Sequence, residues 1–151
     1  MTSKKRKRIK CNEEYCVSCG LCSVACALAH DSDFENIIFL TKDYKLKSRN
    51  CIARRDALSF IVSCQNCKEP ECLSACVSGA IIKDVDNTVK LDSEKCIGCC
   101  SCVMVCPFGA INIIEIDTGE KYSIKCDLCA NREQPACIET CPNQALTLEE
   151  F

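Results

Sequence analysis

The sequence predicts an α+β fold in which short strands and short helices, duplicated along the chain, are arranged around clustered cysteines. Three observations lead there. Nineteen of the 151 residues are cysteine, while no Trp, five Phe and three Tyr supply few large side chains for a conventional core. Sixteen of those cysteines fall into four groups of repeated spacing. Between the groups, short β-prone runs alternate with glycine turns and brief helix-forming stretches.

The pattern is clearest at Cys96, Cys99, Cys102 and Cys106, followed by Pro107, a C-x2-C-x2-C-x3-C-P run. Three thiols on a tight loop can grip three irons of a cubane, and a fourth, one helical turn on, points towards a second cluster. Cys16, Cys19, Cys22 and Cys26 repeat these intervals. Cys64, Cys67, Cys72, Cys76 and Cys126, Cys129, Cys137, Cys141 repeat them with a longer second gap. Sixteen thiolates satisfy four 4Fe-4S clusters at four each. Cys11, Cys51 and Cys100 remain; Cys11 and Cys51 read as buried free thiols, and the x2 interval to Cys102 favours Cys99 over Cys100 as the ligand.

A disulfide scaffold is the other meaning of so many cysteines. The odd total and the lack of an apolar segment after the basic Lys4–Lys10 run argue against it, because they leave no secretory signal. The expected location is cytoplasmic, and no apolar run is long enough for a membrane span. Six of the nineteen basic residues stand in the first ten positions and all twenty-one acids come later, so residues 11–151 balance thirteen cations against twenty-one acids, or −8. Each oxidised cluster with its thiolates adds roughly −2, which takes the loaded body to about −16. Such a body suits a partner with a basic face and does not suit nucleic acid.

In chain order, residues 1–10 read as a basic flexible arm and 11–151 as the cluster domain. Gly20 permits close backbone approach to a cluster, and Leu21 to His30 reads as a helix that separates Cys22 from Cys26. His30, the only histidine, excludes a Rieske centre, which needs two, and reads as a helix-end residue. Thirty-seven residues separate Cys26 from Cys64 against nineteen between Cys106 and Cys126, so 31–59 is an insertion. It is expected to form a hairpin from Ile37 to Leu40 and Leu58 to Val62, and to serve as a partner surface or as cover for a cluster. Gly79 to Ile82 and Gly109 to Ile114 read as turn then strand, with Val89 to Leu91, Tyr122 to Ile124 and Ala145 to Leu148 as further strands. Compact and expanded cysteine groups alternate, which implies internal duplication of a two-cluster unit.

These residues resemble a known family, the four-cluster ferredoxin-like electron-transfer subunits of molybdenum or tungsten oxidoreductases, hydrogenases and carbon monoxide dehydrogenases. The resemblance covers 11–151 and implies a duplicated bacterial dicluster ferredoxin-like fold. The stretches Cys99 to Ile111 and Lys125 to Cys129 look most like the CooF-type subunit of carbon monoxide dehydrogenase systems. The resemblance also implies how ligands pair. An outer pair of clusters, from 11–30 and 121–151, takes Cys16, Cys19, Cys22 with Cys141, and Cys126, Cys129, Cys137 with Cys26. An inner pair, from 60–115, takes Cys64, Cys67, Cys72 with Cys106, and Cys96, Cys99, Cys102 with Cys76. Two departures from the family pattern are Val77 and Ala27, which replace the proline found here as Pro107 and Pro142.

Every strong motif is spent on coordination, and no separate nucleophile, acid-base pair or phosphate loop stands out. The expected role is therefore an electron conduit and not an enzyme, passing single electrons between a metal-containing oxidoreductase, carbon monoxide dehydrogenase above others, and a downstream acceptor protein. A zinc module would not need the C-x2-C-x2-C triplet, and chemistry at an open cluster would need a missing cysteine.

Overall fold

The computed structural model describes residues 5–30, 46–116 and 118–151. Twelve short elements occur among them: β1 (Lys7–Cys11), α1 (Leu21–His30), β2 (Cys51–Arg55), β3 (Leu58–Val62), α2 (Glu71–Ser74), β4 (Ile81–Lys83), β5 (Val89–Leu91), α3 (Ser101–Val105), β6 (Ile111–Glu115), β7 (Lys121–Lys125), α4 (Ala136–Thr140) and β8 (Leu146–Glu150). The strands form four antiparallel ribbons, β1 with β8, β2 with β3, β4 with β5 and β6 with β7. Helix α1 packs on α4 and α2 on α3. The first and last cysteine groups are thereby joined, with the middle two nested between them.

The helix read over Leu21 to His30 is α1, and the strands read in the second half are β4 to β8 within one or two residues. Three cysteine groups end alike. After Cys76, Cys106 and Cys141 the third residue is left-handed: Gly79 at φ +66°, Gly109 at +60° and Gln144 at +51°. Its N–H donates to the cysteine carbonyl at 3.2–3.3 Å. A buried alanine follows (Ala80, Ala110, Ala145), then the buried first residue of a strand (Ile81, Ile111, Leu146).

Two sequence readings are corrected. The first is the flexible arm. Lys7–Cys11 is strand β1, paired in register with β8 from Lys7 opposite Glu150 to Cys11 opposite Leu146. Its charges meet acids: Lys7 Nζ lies 3.1 Å from Glu150, and Arg8 and Lys10 hold Glu149 at 2.6 and 2.9 Å. The Arg6 and Arg8 guanidinium groups also stack on the Phe151 ring at 4.2 and 4.5 Å. The acidic counterpart of the basic run is the chain's own β8, which local periodicity cannot show. The second correction is the hairpin. Leu58–Val62 is a strand as expected, but its partner is Cys51–Arg55, which read as polar connection, through a turn at Asp56 with φ +54°. Ile37 to Leu40 lies outside the described residues.

The halves repeat at an offset of eighty positions. Ile9, Lys10, Cys11 and Asn12 stand to Cys16 as Val89, Lys90, Leu91 and Asp92 stand to Cys96. Ile9 and Val89 are both buried. Asn12 and Asp92 both donate a backbone N–H to the alanine carbonyl of the neighbouring group, to Ala145 at 2.7 Å and Ala80 at 2.9 Å. Cys11 therefore fills the packing position that Leu91 fills in the other half.

Apolar burial is thin. Among the described residues the buried apolar set contains six cysteines, six alanines and no aromatic side chain. Asn66 joins the two nested units: buried to 1 % exposure, it donates from Nδ2 to the Lys7 carbonyl (2.8 Å) in β1 and accepts the Val89 N–H (3.0 Å) in β5.

Candidate metal centres

Each C-x2-C pair is bent by the same device. The residue just before the second cysteine is left-handed in all four: Ser18 at φ +57°, Asn66 at +44°, Gly98 at +68° and Leu128 at +61°. That bend folds both thiols to one side of the loop and turns backbone N–H groups towards sulfur. Asn66 and Leu128 donate to Cys64 and Cys126 Sγ, each at 3.4 Å. In the compact groups the residue after the second cysteine is left-handed too, Gly20 at +81° and Cys100 at +62°. Cys100 thus occupies the place of Gly20, and its thiol lies 3.2 Å from the Gly98 carbonyl. The helices α1 and α3 start immediately after these residues.

Sulfurs distant in sequence are brought together. Cys16, Cys19, Cys22 and Cys141 line one small cavity with Ile52, Ile61 and Leu146. Cys64, Cys67, Cys72 and Cys106 line another with Val89, Ile111 and Lys125. Burial, then the neighbouring Cys26 and Cys129 sulfurs, push the Cys137 thiol up to about 12. Burial also raises Cys126, with Cys26 and Cys137 adding to it against the Leu128 N–H. Cys102 is raised by burial and by nearby Cys96 and Cys76, opposed by Ser123. At Cys72, burial raises the thiol to about 11 while the Lys125 charge pulls the other way. Cys76 moves down, because hydrogen bonds from Ser78 and the backbone at Ile81 and Ala80 outweigh burial. Cys19 and Cys99 are the exposed thiols.

Such convergence fits cubane clusters. In both cavities two sulfurs flank a left-handed residue and two stand on or just after a short helix, and together the four form a soft, anionic donor set once deprotonated. Desolvated thiols crowded together resist ionisation without a cation, and bound iron would supply it.

Of the remaining cysteines, Cys11 and Cys51 are half-buried on strands β1 and β2, and burial raises both thiols. They are less enclosed than the buried free thiols expected.

His30 is more than a helix end. Its Nδ1 lies 2.8 Å from the Cys26 carbonyl and its Nε2 3.0 Å from Asp127 Oδ1, while Arg49 binds Asp127 Oδ2 at 2.8 Å. Hydrogen bonding to Asp127, then to Cys129 and Cys26, pushes His30 up to about 12. The Asp127 carboxyl falls to about 2, because His30 and Arg49 outweigh its burial. His30, Asp127 and Cys129 present donor atoms within 4.8 Å of one another. Both ring nitrogens are already engaged, so this is a hydrogen-bonded brace between helix α1, which carries Cys26, and the Cys129 loop. Nothing local announced it, since Asp127 is 97 positions from His30.

Comparison with known proteins agrees with this geometry. Residues 56–151 match the family described as 4Fe-4S dicluster domain. An iron-sulfur protein of Rhodospirillum rubrum is 34 % identical over 95 % of this chain and 82 % of its own. The electron transport protein HydN of Escherichia coli (strain K12) is 32 % identical over 87 % of this chain and 81 % of its own. Among solved structures, the active site complex BamBC of benzoyl coenzyme A reductase has a chain with a TM-score of 0.52 at 21 % identity, covering 98 % of this chain and 80 % of that one, a likeness of fold. Four cysteine groups on short strands and helices, with these relatives, place the chain in the 4Fe-4S dicluster family, with a ferredoxin-like fold.

Proposed function

We propose that the protein is an electron-transfer iron–sulfur subunit that holds four 4Fe-4S clusters and relays single electrons between a partner oxidoreductase and a downstream acceptor. The observation that carries the reading is the gathering of Cys141 with Cys16, Cys19 and Cys22, and of Cys106 with Cys64, Cys67 and Cys72, each in one cavity. The other two sets are Cys126, Cys129, Cys137 with Cys26, and Cys96, Cys99, Cys102 with Cys76. A cubane in such a set supplies reversible one-electron chemistry when bound. The chain's own contribution is spacing, shielding and hydrogen bonding to sulfur. Names of relatives such as HydN support electron transport as the role.

The thiol sets suggest an order. Lys125 lines the Cys64 cavity and donates to the Cys126 carbonyl, so these two sets are neighbours. The compact sets contain the exposed thiols, Cys19 and Cys99. Exposed apolar side chains flank them: Tyr15 and Val17 beside the first, Ile97 and Met104 beside the second. Those two ends are where donor and acceptor dock. A carbon monoxide dehydrogenase is the partner favoured by the motif resemblance at Cys99 to Ile111 and Lys125 to Cys129. A tungsten or molybdenum enzyme or a hydrogenase would leave the conduit unchanged and replace its donor.

Anaerobic purification of the tagged protein with its bound partner tests both levels. About sixteen irons per chain are expected, with a metal-containing oxidoreductase co-purifying. A colourless, zinc-loaded protein would overturn the function, and a partner containing no nickel would overturn carbon monoxide dehydrogenase alone.

A further inference from the structure

Lys125 is a cation in an unusual place. It is 2 % exposed, the largest fully buried side chain among the described residues. Its Nζ donates to two backbone carbonyls, those of Val89 and, at 2.9 Å, Cys126. No carboxylate ion-pairs with it among the described residues. Instead it lines the cavity of Cys64, Cys67, Cys72 and Cys106, where the one acid, Glu71, is exposed. Two carbonyl hydrogen bonds leave the net charge of an ammonium uncompensated, and burying such a charge without a partner is costly. The thiolates of that cavity are the available counter-charge.

The duplication supplies a comparison. Lys125 immediately precedes Cys126, and Ser63 holds the corresponding place before Cys64. Ser63 is also buried, at 1 %, but neutral, and its hydroxyl has no hydrogen-bond partner. Two otherwise matched expanded groups therefore differ by one buried positive charge.

We propose that Lys125 is a redox-tuning residue, whose buried ammonium offsets the charge of the cluster held by Cys64, Cys67, Cys72 and Cys106 and raises its reduction potential above that of its duplicate. This rests on the cluster assignment proposed above. The step is a one-electron reduction: an electron arrives from the partner's reduced centre, the cluster with its thiolates goes from about −2 to about −3, and no bond or proton changes place. A cation in a dry site favours the more negative state more than a solvated one does, because little water screens it. Lys83 is the internal control. It donates to the Cys67 and Lys68 carbonyls at 3.3 and 2.7 Å, beside the same thiols but with its Lys68 contact at the surface.

The test is an EPR-monitored redox titration of the wild-type, Lys125→Gln, Lys125→Arg and Lys83→Gln proteins, each with its iron content. Lys125→Gln is expected to move one cluster to a more negative potential with full iron retained. Lys125→Arg should move it less, and Lys83→Gln hardly at all. Unmoved potentials in an iron-replete Lys125→Gln protein overturn the role of Lys125 and leave the cluster assignment standing. A wild-type protein short of one cubane overturns the assignment and the tuning role together. If Lys125→Gln does not retain iron, the Lys83→Gln protein carrying [ζ-15N]lysine decides by pulsed EPR. A 15N coupling to a reduced cluster supports the proposal, and its absence overturns it.

Discussion

Cys100 and Gly20 meet the same backbone demand with different residues, and the difference has a measurable consequence. Both lie in the left-handed region ahead of a helix, at φ +62° and +81°, where a side chain is strained by about 1 kcal/mol. Cys100→Gly is expected to keep all its iron and to gain up to ~1 kcal/mol in a denaturant titration of the loaded protein. Cys102→Ser should behave oppositely. It removes a buried sulfur from the proposed Cys96 set, so iron analysis should show the loss of about one of the four proposed cubanes, with slower electron transfer. Full iron in Cys102→Ser would remove Cys102 from the ligands, and iron loss in Cys100→Gly would make Cys100 one of them. The x2 spacing favours Cys99 over Cys100 as the proposed ligand, and Cys100 stands where the other half uses glycine.

Elements of this size hold their places through single contacts between loops and strands. Gly98 shows it: a Cβ there would overlap the Lys121 carbonyl oxygen of β7, whereas a Cβ at Gly20 meets nothing within 4 Å. Gly98→Ala should therefore cost ~1–3 kcal/mol beyond the backbone strain that Gly20→Ala also suffers, which paired thermal melts of the two variants would show. The brace between α1 and the loop after β7 has a pH signature. His30 is raised from 6.5, so its contribution is complete below 6.5 and declines as pH rises towards its folded value near 12. Asp127 is lowered from 3.8, so its contribution is complete above 3.8 and is lost as pH falls through about 2. The coupling in a double-mutant cycle of His30→Gln and Asp127→Asn should peak between pH 3.8 and 6.5. A coupling that keeps rising above pH 7 would contradict the pair.

For the whole molecule, the buried sulfurs decide stability. With six cysteines and six alanines among the buried apolar residues and no buried aromatic, the described core is too small to hold four two-stranded ribbons by apolar burial alone. Removing the iron by acid and chelator under reducing conditions should abolish cooperative unfolding and collapse amide chemical-shift dispersion, to be followed by circular dichroism and NMR. An iron-free protein that keeps a sharp thermal transition would show that packing suffices. No described helix is long and apolar enough to cross a membrane.

The sequence alone determined the cysteine groups, the duplication, α1 and the strands of the second half, because thiol spacing, glycine turns and short periodic runs are local signals. The strand character of Lys7–Cys11 was legible too, but only at an offset of eighty positions, where Ile9 to Asn12 match Val89 to Asp92. Read by charge alone, the segment looked like a solvated arm. The tertiary structure decided what lies across the chain, β1 against β8 and His30 against Asp127; Cys141 in one cavity with Cys16, and Cys106 with Cys64, are neighbours that the family resemblance implied and local spacing did not. It also decided that Lys125, one charge in a charged strand Lys121–Lys125, is the one buried beside thiols. These facts join residues up to 143 positions apart. Chain closure makes such pairs, and local composition carries no record of them.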